Sequence, residues 1–252
     1  PVAKPKGKAR QGAKMVKKLE KLSSTSFELS PEEATMYRAL SARANYLGQD
    51  RVDISFSSTE MCRMFAVPTH ASYAKLKRLV RYLVGVHRSV YVFDFQECPT
   101  CADIYTDTDF AGCKETRRST SGGVIMMGSH TIRHWSRTQT TIALSSGEAE
   151  LGGIGSGIAE ALGFQSLARD MGWKYDIAVH SDATAALGIA RRRGLGKVRH
   201  LDVTDLWIQE KVRAKAVTLH KVEGLKNPAD VLTKYVDQAT MTRALEFMSL
   251  RR

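Results

Sequence analysis

The chain has 252 residues, with 38 Lys and Arg against 26 Asp and Glu and a formal charge of +12. That length holds one large domain, or one of about 150 residues with an appendage, and that charge selects a polyanionic partner, nucleic acid ahead of a membrane surface. No apolar run approaches the ~20 residues of a membrane span, which argues against a helical membrane protein and sets the expectation of a soluble, intracellular one.

The chain opens on Pro1 rather than Met, which suggests a piece of a longer polypeptide. Residues 1–29 read as a basic disordered arm, with Lys4, Lys6, Lys8, Arg10, Lys14, Lys17, Lys18 and Lys21 against a single Glu20 and little to bury. Such an arm grips phosphates, serves as a nuclear address, or is only a solvated tail. Residues 30–97 read as a helical segment. Ser30 caps a first helix, with Pro31 at its first position and Glu33 closing a capping box; Met36, Leu40 and Leu47 are its expected buried face. Ser57 and Glu60 signal a second helix by the same spacing. A third, over 71–84, is expected to bury Leu76, Leu79, Val80 and Leu83 and to turn Lys75, Lys77, Arg78 and Arg81 outward. That basic face is either ordinary solvated surface or a contact for nucleic acid.

Residues 89–95 alternate like a strand until Cys98-Pro99-Thr100-Cys101 breaks the pattern, which places a domain boundary there. The Cys pair has the spacing of half a zinc site, but Cys62 and Cys113 do not form the other half, so free thiols are the expectation. Beyond it come strands at 103–110, 122–128 and 131–136 and a helix over 146–162. A strand at 177–181, helices over 183–192 and 201–212, a strand at 216–222 and a last helix over 228–248 follow. This is an α/β pattern, a mixed sheet with helices on both faces over residues 102–248, preceded by the small helical segment.

Acidic residues fall at the ends of these elements. On a strand Asp107 and Asp109 share a face; Asp107, deeper in the apolar run, is the better ligand, and Asp109 sits where it can brace the turn at Phe110-Ala111-Gly112. Ser145 and Glu148 fit a capping box, which leaves Glu150 free to face the sheet. Asp182 follows an apolar strand, and Asp230 follows the cap Asn227 and Pro228. Each of these acids alone reads as a turn, a cap or a complement to a helix dipole. Together, Asp107, Glu150, Asp182 and Asp230 lie where open α/β folds build sites. Converging carboxylates need cations between them, and hard oxygen ligands select Mg²⁺ or Mn²⁺.

From about residue 37 to 248 the chain resembles the C-terminal end of the Pol polyprotein of copia-type LTR retrotransposons, the tail of the reverse transcriptase followed by a ribonuclease H domain. The runs that carry the resemblance include Asp53-Ile54-Ser55-Phe56, Lys77-Arg78-Leu79-Val80-Arg81-Tyr82-Leu83 and Thr106-Asp107-Thr108-Asp109-Phe110-Ala111-Gly112. Arg117-Arg118-Ser119-Thr120-Ser121-Gly122, Ala143-Leu144-Ser145-Ser146-Gly147-Glu148-Ala149-Glu150, Arg199-His200-Leu201-Asp202 and Ala229-Asp230-Val231-Leu232-Thr233-Lys234 continue it.

The resemblance implies a ribonuclease H-like, five-stranded mixed sheet and a catalytic, metal-binding tetrad at Asp107, Glu150, Asp182 and Asp230. It implies two Mg²⁺ ions, with Mn²⁺ as substitute, ~3.5–4 Å apart, one activating water and one stabilising the leaving 3′ oxygen. The substrate it implies is the RNA strand of an RNA·DNA hybrid, with Arg191, Arg192, Arg193, Lys197 and Arg199 as the basic element that binds it. The remaining reverse transcriptase and Pol polyprotein are the implied partners, without a membrane, in a cytoplasmic virus-like particle with access to the nucleus.

The chain departs from the family pattern at several points. No histidine stands in Glu223-Gly224-Leu225-Lys226, Ala183 replaces the frequent Asn after the third acid, and no Tyr-X-Asp-Asp polymerase motif is present. Gly152, Gly153, Gly155 and Gly157 load the helix after Glu150 at up to ~1 kcal/mol each relative to Ala. That load favours a second reading, a decayed or domesticated nucleic-acid-binding piece, whereas retention of all four acids favours an active nuclease.

Overall fold

The computed structural model describes residues 27–194 and 203–252. Most of the basic arm, together with Lys197 and Arg199, lies outside the described residues. The chain divides into two compact units, one drawn from Pro1–Tyr46 and Glu60–His87, the other from Leu47–Thr59 and Arg88–Arg252.

The first unit contains helices α1 (Pro31–Leu47) and α3 (His70–Gly85). Ser30 and Glu33 form the expected capping box, with the Glu33 amide donating to Ser30 Oγ and the Ser30 amide to Glu33 Oε2, both at 3.3 Å. The buried stripe of α1 is not Met36, Leu40 and Leu47 but Ala34, Tyr37, Ser41 and Ala44, and Met36 is 53% exposed. Small residues allow a close approach on that side, and the Tyr37 hydroxyl donates to the Met61 carbonyl at 2.7 Å. In α3, Thr69 and Ser72 exchange capping bonds; Leu76 and Leu79 are buried as expected, Val80 is exposed, and so are the four cationic side chains opposite.

Helix α2 (Val52–Cys62) begins five residues before Ser57, which therefore lies within the helix and caps nothing. Its start is set instead by Arg51, whose guanidinium grips both oxygens of Asp53 at 2.9 and 2.7 Å, a bidentate fork at the first turn.

The second unit is built on five strands, β2 (Cys101–Asp109), β3 (Thr120–Met127), β4 (His130–Thr138), β5 (Asp176–Ser181) and β6 (Thr218–Lys221). Their order is β4-β3-β2-β5-β6. β2–β3 and β3–β4 are antiparallel, while β2–β5 and β5–β6 are parallel. This is the mixed five-stranded, ribonuclease H-like α/β architecture expected. A two-residue pair, β1 (Val90–Tyr91) with β7 (Leu250–Arg251), stands apart, so only the first part of the strand expected over 89–95 forms.

Period-two alternation along β2 sends Ala102 and Ile104 to one face and Tyr105 to the other. Helices α4 (Ser146–Asp170), α5 (Thr184–Arg191) and α6 (Val203–Arg213) cover the first face, where Ile104, Ile125, Trp135, Ile154, Ile158, Leu187 and Ile208 form the core. Each such side chain contributes about 1.5–3 kcal/mol by leaving water. The second face is covered by Val231, Leu232, Leu245 and Met248, packed on Val124 and Met126.

The glycine load of α4 has a steric cause. A Cβ on Gly153 would fall 2.3 Å from Thr108 Oγ1, and one on Gly157 would fall 2.5 Å from Thr106 Cγ2. The helix thus lies against β2 closer than any side chain at those positions allows, and its length, two turns beyond the expected end, carries the packing that offsets the propensity cost.

The single helix expected over 228–248 is two elements, a 3₁₀ turn Pro228–Leu232 and α7 (Gln238–Phe247). Asp237 caps α7 by accepting the Thr240 amide at 2.7 Å, a second start signal inside what reads as one amphipathic run.

Candidate metal centre

The parallel strands β2 and β5 end on the same side of the sheet, and the entry to α4 and the Pro228–Leu232 turn meet them there. Each element contributes one acid. Asp107 lies in β2 beside Gly122 of β3 and is 3% exposed. A Cβ on Gly122 would fall 2.6 Å from Leu232 Cβ, so the bare β3 position lets the 3₁₀ turn close over the strand. Asp182 follows the last residue of β5. Ala183 takes the N-cap position of α5 without a side-chain bond, so Asp182 is not spent as a cap.

Glu150 sits in the first turns of α4. Ser145 Oγ accepts the Glu148 amide at 3.2 Å, and the Glu148 carboxylate accepts the Leu144 amide at 2.7 Å, so Glu148 is committed to the helix entrance and Glu150 is left to the site. Gln139 fixes this turn, donating to Ser121 Oγ at 2.7 Å and to the Ala149 carbonyl at 2.8 Å. Asp230 is placed by Asn227. The Asn227 side chain donates to the Thr106 carbonyl at 3.0 Å and accepts the Ala229 amide at 3.1 Å, tying the turn to the strand one residue before Asp107.

Asp107, Glu150 and Asp182 each bring a carboxylate oxygen to within 4.8 Å of the other two. Asp230 does not join that group. Its Oδ1 is 3.0 Å from Lys234 Nζ, which also faces Asp107 Oδ2 at 3.6 Å, and the Thr233 hydroxyl donates to the same Asp107 Oδ2. Asp109 is apart from the cluster, its carboxylate lying over the Cα of Gly112, where it braces the turn.

The electrostatics follow from burial. Glu150 is pushed up to about 8, first by loss of water, then by Asp107 and Asp182, with Lys234 opposing. Burial and then Asp107 likewise raise Asp182 and Asp230. For Lys234 burial favours the neutral amine, but Asp107 and Asp230 outweigh it and raise the pKa.

Glu150 Oε2 is buried without a hydrogen-bond partner, an arrangement that costs free energy unless something binds there. Three gathered carboxylates with an orphaned oxygen fit a hard divalent cation such as Mg²⁺ or Mn²⁺.

Of the expected basic element, Arg191 is committed to the Leu219 carbonyl at 2.7 Å and Arg193 is exposed. The turn after α5 is held by Gln209, which accepts the Gly194 amide at 2.8 Å and donates to the carbonyls of Ile189 and Gly194. Sequence reasoning did not assign roles to Thr233 and Lys234. The signal for the second was present, since a cation four residues after an acid is the spacing of an intrahelical ion pair.

The sheet and its carboxylates define an α/β protein of ribonuclease H-like topology with a candidate divalent-metal centre. The chain is 26% identical over 205 residues to the Retrovirus-related Pol polyprotein from transposon RE1 of Arabidopsis thaliana, which covers 80% of this chain and 14% of that protein. It is 27% identical over 188 residues to the Retrovirus-related Pol polyprotein from transposon TNT 1-94 of Nicotiana tabacum, covering 74% of this chain and 14% of that protein. The resemblance carried by the motifs is therefore borne out at the level of whole-segment similarity, and the chain spans about one seventh of the length of these relatives.

No protein-family model matches the chain. Among solved structures, it is similar to the N-terminal RNase H domain of Rv2228c from Mycobacterium tuberculosis, with 19% identity, 58% of this chain and 97% of that chain covered, and a TM-score of 0.38. It is also similar to LC11-RNase H1 in complex with RNA/DNA hybrid, with 17% identity, coverage of 52% and 93%, and a TM-score of 0.39. The fold assignment rests on strand order and sense, not on these superpositions.

Proposed function

We propose that this chain is the ribonuclease H part of a retrotransposon Pol polyprotein, a metal-dependent endonuclease that hydrolyses the RNA strand of RNA·DNA hybrids. The observation that carries this reading is the buried meeting of Asp107, Glu150 and Asp182.

Asp107, Glu150 and Asp182 would hold one ion, and Asp107 with Asp230 a second. Bound Mg²⁺ or Mn²⁺ supplies an activated water and charge stabilisation at the scissile phosphate. The protein's own part is to keep four acids at fixed separations: Gln139 and Ser145 fix Glu150, Asn227 fixes Asp230, and Thr233 fixes the carboxylate of Asp107. Glu150 must release its proton for a cation to bind, so loading is coupled to proton release. The net charge of +12 favours the polyanionic hybrid, whose RNA strand differs from DNA by its 2′-hydroxyls. Residues 30–97 are read as the tail of the reverse transcriptase, with the remaining Pol polyprotein as partner. No helix of the described residues is long and apolar enough to cross a membrane.

The decayed-binder reading is less favoured, because two of the four glycines that suggested it, Gly153 and Gly157, are required by the close contact of α4 with β2. The test is incubation of a labelled RNA·DNA hybrid with Mg²⁺ or Mn²⁺, comparing the chain with Asp107→Asn. Metal-dependent cutting of the RNA strand alone, lost in the variant, is the expected outcome; binding without cutting under either metal would refute the nuclease.

A further inference from the structure

Lys234 is the one cation ion-paired within the cluster among the described residues. Its ammonium lies 3.0 Å from Asp230 Oδ1 and 3.6 Å from Asp107 Oδ2. Those two acids form the half of the tetrad outside the tight group of three. Thr233, the preceding residue, donates to the same oxygen of Asp107, and the Lys234 amide donates to the Asp230 carbonyl at 3.3 Å. The side chain is 45% exposed, so its four-carbon stem can swing the charge into solvent without unpacking the core.

We propose that Lys234 is a positioning residue, an internal counter-cation that keeps Asp107 and Asp230 assembled and reserves their position until a divalent ion displaces it. This rests on the nuclease reading above and adds an order of loading to it. The first ion enters among Asp107, Glu150 and Asp182, where the orphaned oxygen of Glu150 waits and neither Glu150 nor Asp182 is held in an ion pair among the described residues. The second enters between Asp107 and Asp230 only as the ammonium leaves, because Lys234 Nζ faces the very oxygens, Asp230 Oδ1 and Asp107 Oδ2, that the ion would take as ligands. Lys234 thus lowers affinity at the second position while preventing the ion-free acids from driving each other apart.

Calorimetric titration of Mn²⁺ into the ion-free chain tests this without reference to turnover. The wild type is expected to show a tighter and a weaker binding event. Lys234→Met, which keeps most of the stem and removes the charge, strengthens the weaker event by about tenfold or more, and Asp230→Asn abolishes it. Thermal unfolding supplies a second readout. Lys234→Met lowers Tm in the ion-free chain and leaves it unchanged at saturating Mn²⁺, whereas loss of a purely structural brace lowers both.

A weaker event that is unchanged or further weakened in Lys234→Met overturns the proposal. If that occurs in a chain that still cuts the hybrid, the lysine assignment alone has failed. If the wild type neither binds Mn²⁺ nor cuts, the nuclease reading has failed with it.

Discussion

Toward Glu150 and Asp182, Asp107 meets acids that have no ion pair among the described residues; toward Asp230 it meets an acid already joined to Lys234 at 3.0 Å. One half of the cluster answers its charge by burial and a retained proton on Glu150, the other by a lysine carried on the chain. The difference shows that two halves of one acidic cluster can relieve the same repulsion in different ways. Carboxylate repulsion must be relieved before any ion arrives, and a proton and an ammonium relieve it with different consequences: release of the first is governed by pH, and departure of the second by side-chain motion.

Four perturbations separate the halves. The largest effect is expected from Asp107→Asn, since that acid serves both. Loss of several kcal/mol of charge stabilisation lowers hybrid cleavage by roughly 10³-fold, at tenfold per ~1.4 kcal/mol, measured as initial rates under saturating Mg²⁺.

Gly153→Ala addresses the Glu150 half. The new Cβ meets Thr108 Oγ1 at 2.3 Å, and the overpacking costs about 1–3 kcal/mol even after the gain in helix propensity. Denaturant midpoints report it, and a midpoint at or above the wild type would show that α4 can shift freely.

Asn227→Ala addresses the Asp230 half, removing the bond to the Thr106 carbonyl and the cap on Ala229. About 1–2 kcal/mol is the expected loss of stability, with hybrid cleavage falling and affinity for the first Mn²⁺ unchanged by calorimetry.

The last perturbation is one of pH. Glu150 titrates at about 8 in the folded chain against an ordinary value of 4.5, so between those values the folded state binds more protons than the unfolded one. Ion-free stability therefore declines as pH rises from about 4.5 and levels off above about 8. Glu150→Gln flattens that decline in Tm scans, and saturating Mg²⁺ offsets it at the alkaline end.

The five strands of the main sheet and the elements that carry Asp107, Glu150, Asp182 and Asp230 were legible in the sequence because each has a local cause. Apolar β-branched runs end at Asp107 and Asp182, a serine cap fixes the phase of Glu150, and Asn227-Pro228 announces the turn that bears Asp230. Elements decided by tertiary contact were not legible. Helix α1 buries Ala34, Tyr37, Ser41 and Ala44 rather than Met36, because packing selects for shape and a satisfied hydroxyl where a pattern reading selects for apolarity. Ser57 and Glu60 have capping spacing within a helix already begun at Val52, and spacing alone cannot say which turn it belongs to. The last helix splits at a second cap, Asp237, that a continuous apolar period conceals. Thr233 escaped assignment because its bond reaches Asp107, on a strand more than a hundred residues earlier.

Gly153 and Gly157 also act as a ruler. The gap between helix and strand is encoded by atoms that are missing, and the reach of Glu150 toward Asp107 depends on that gap. A related chain that kept all four acids but carried a side chain at either position would hold the right ligands at the wrong spacing, so two absences, as much as four carboxylates, define which sequences can build this centre.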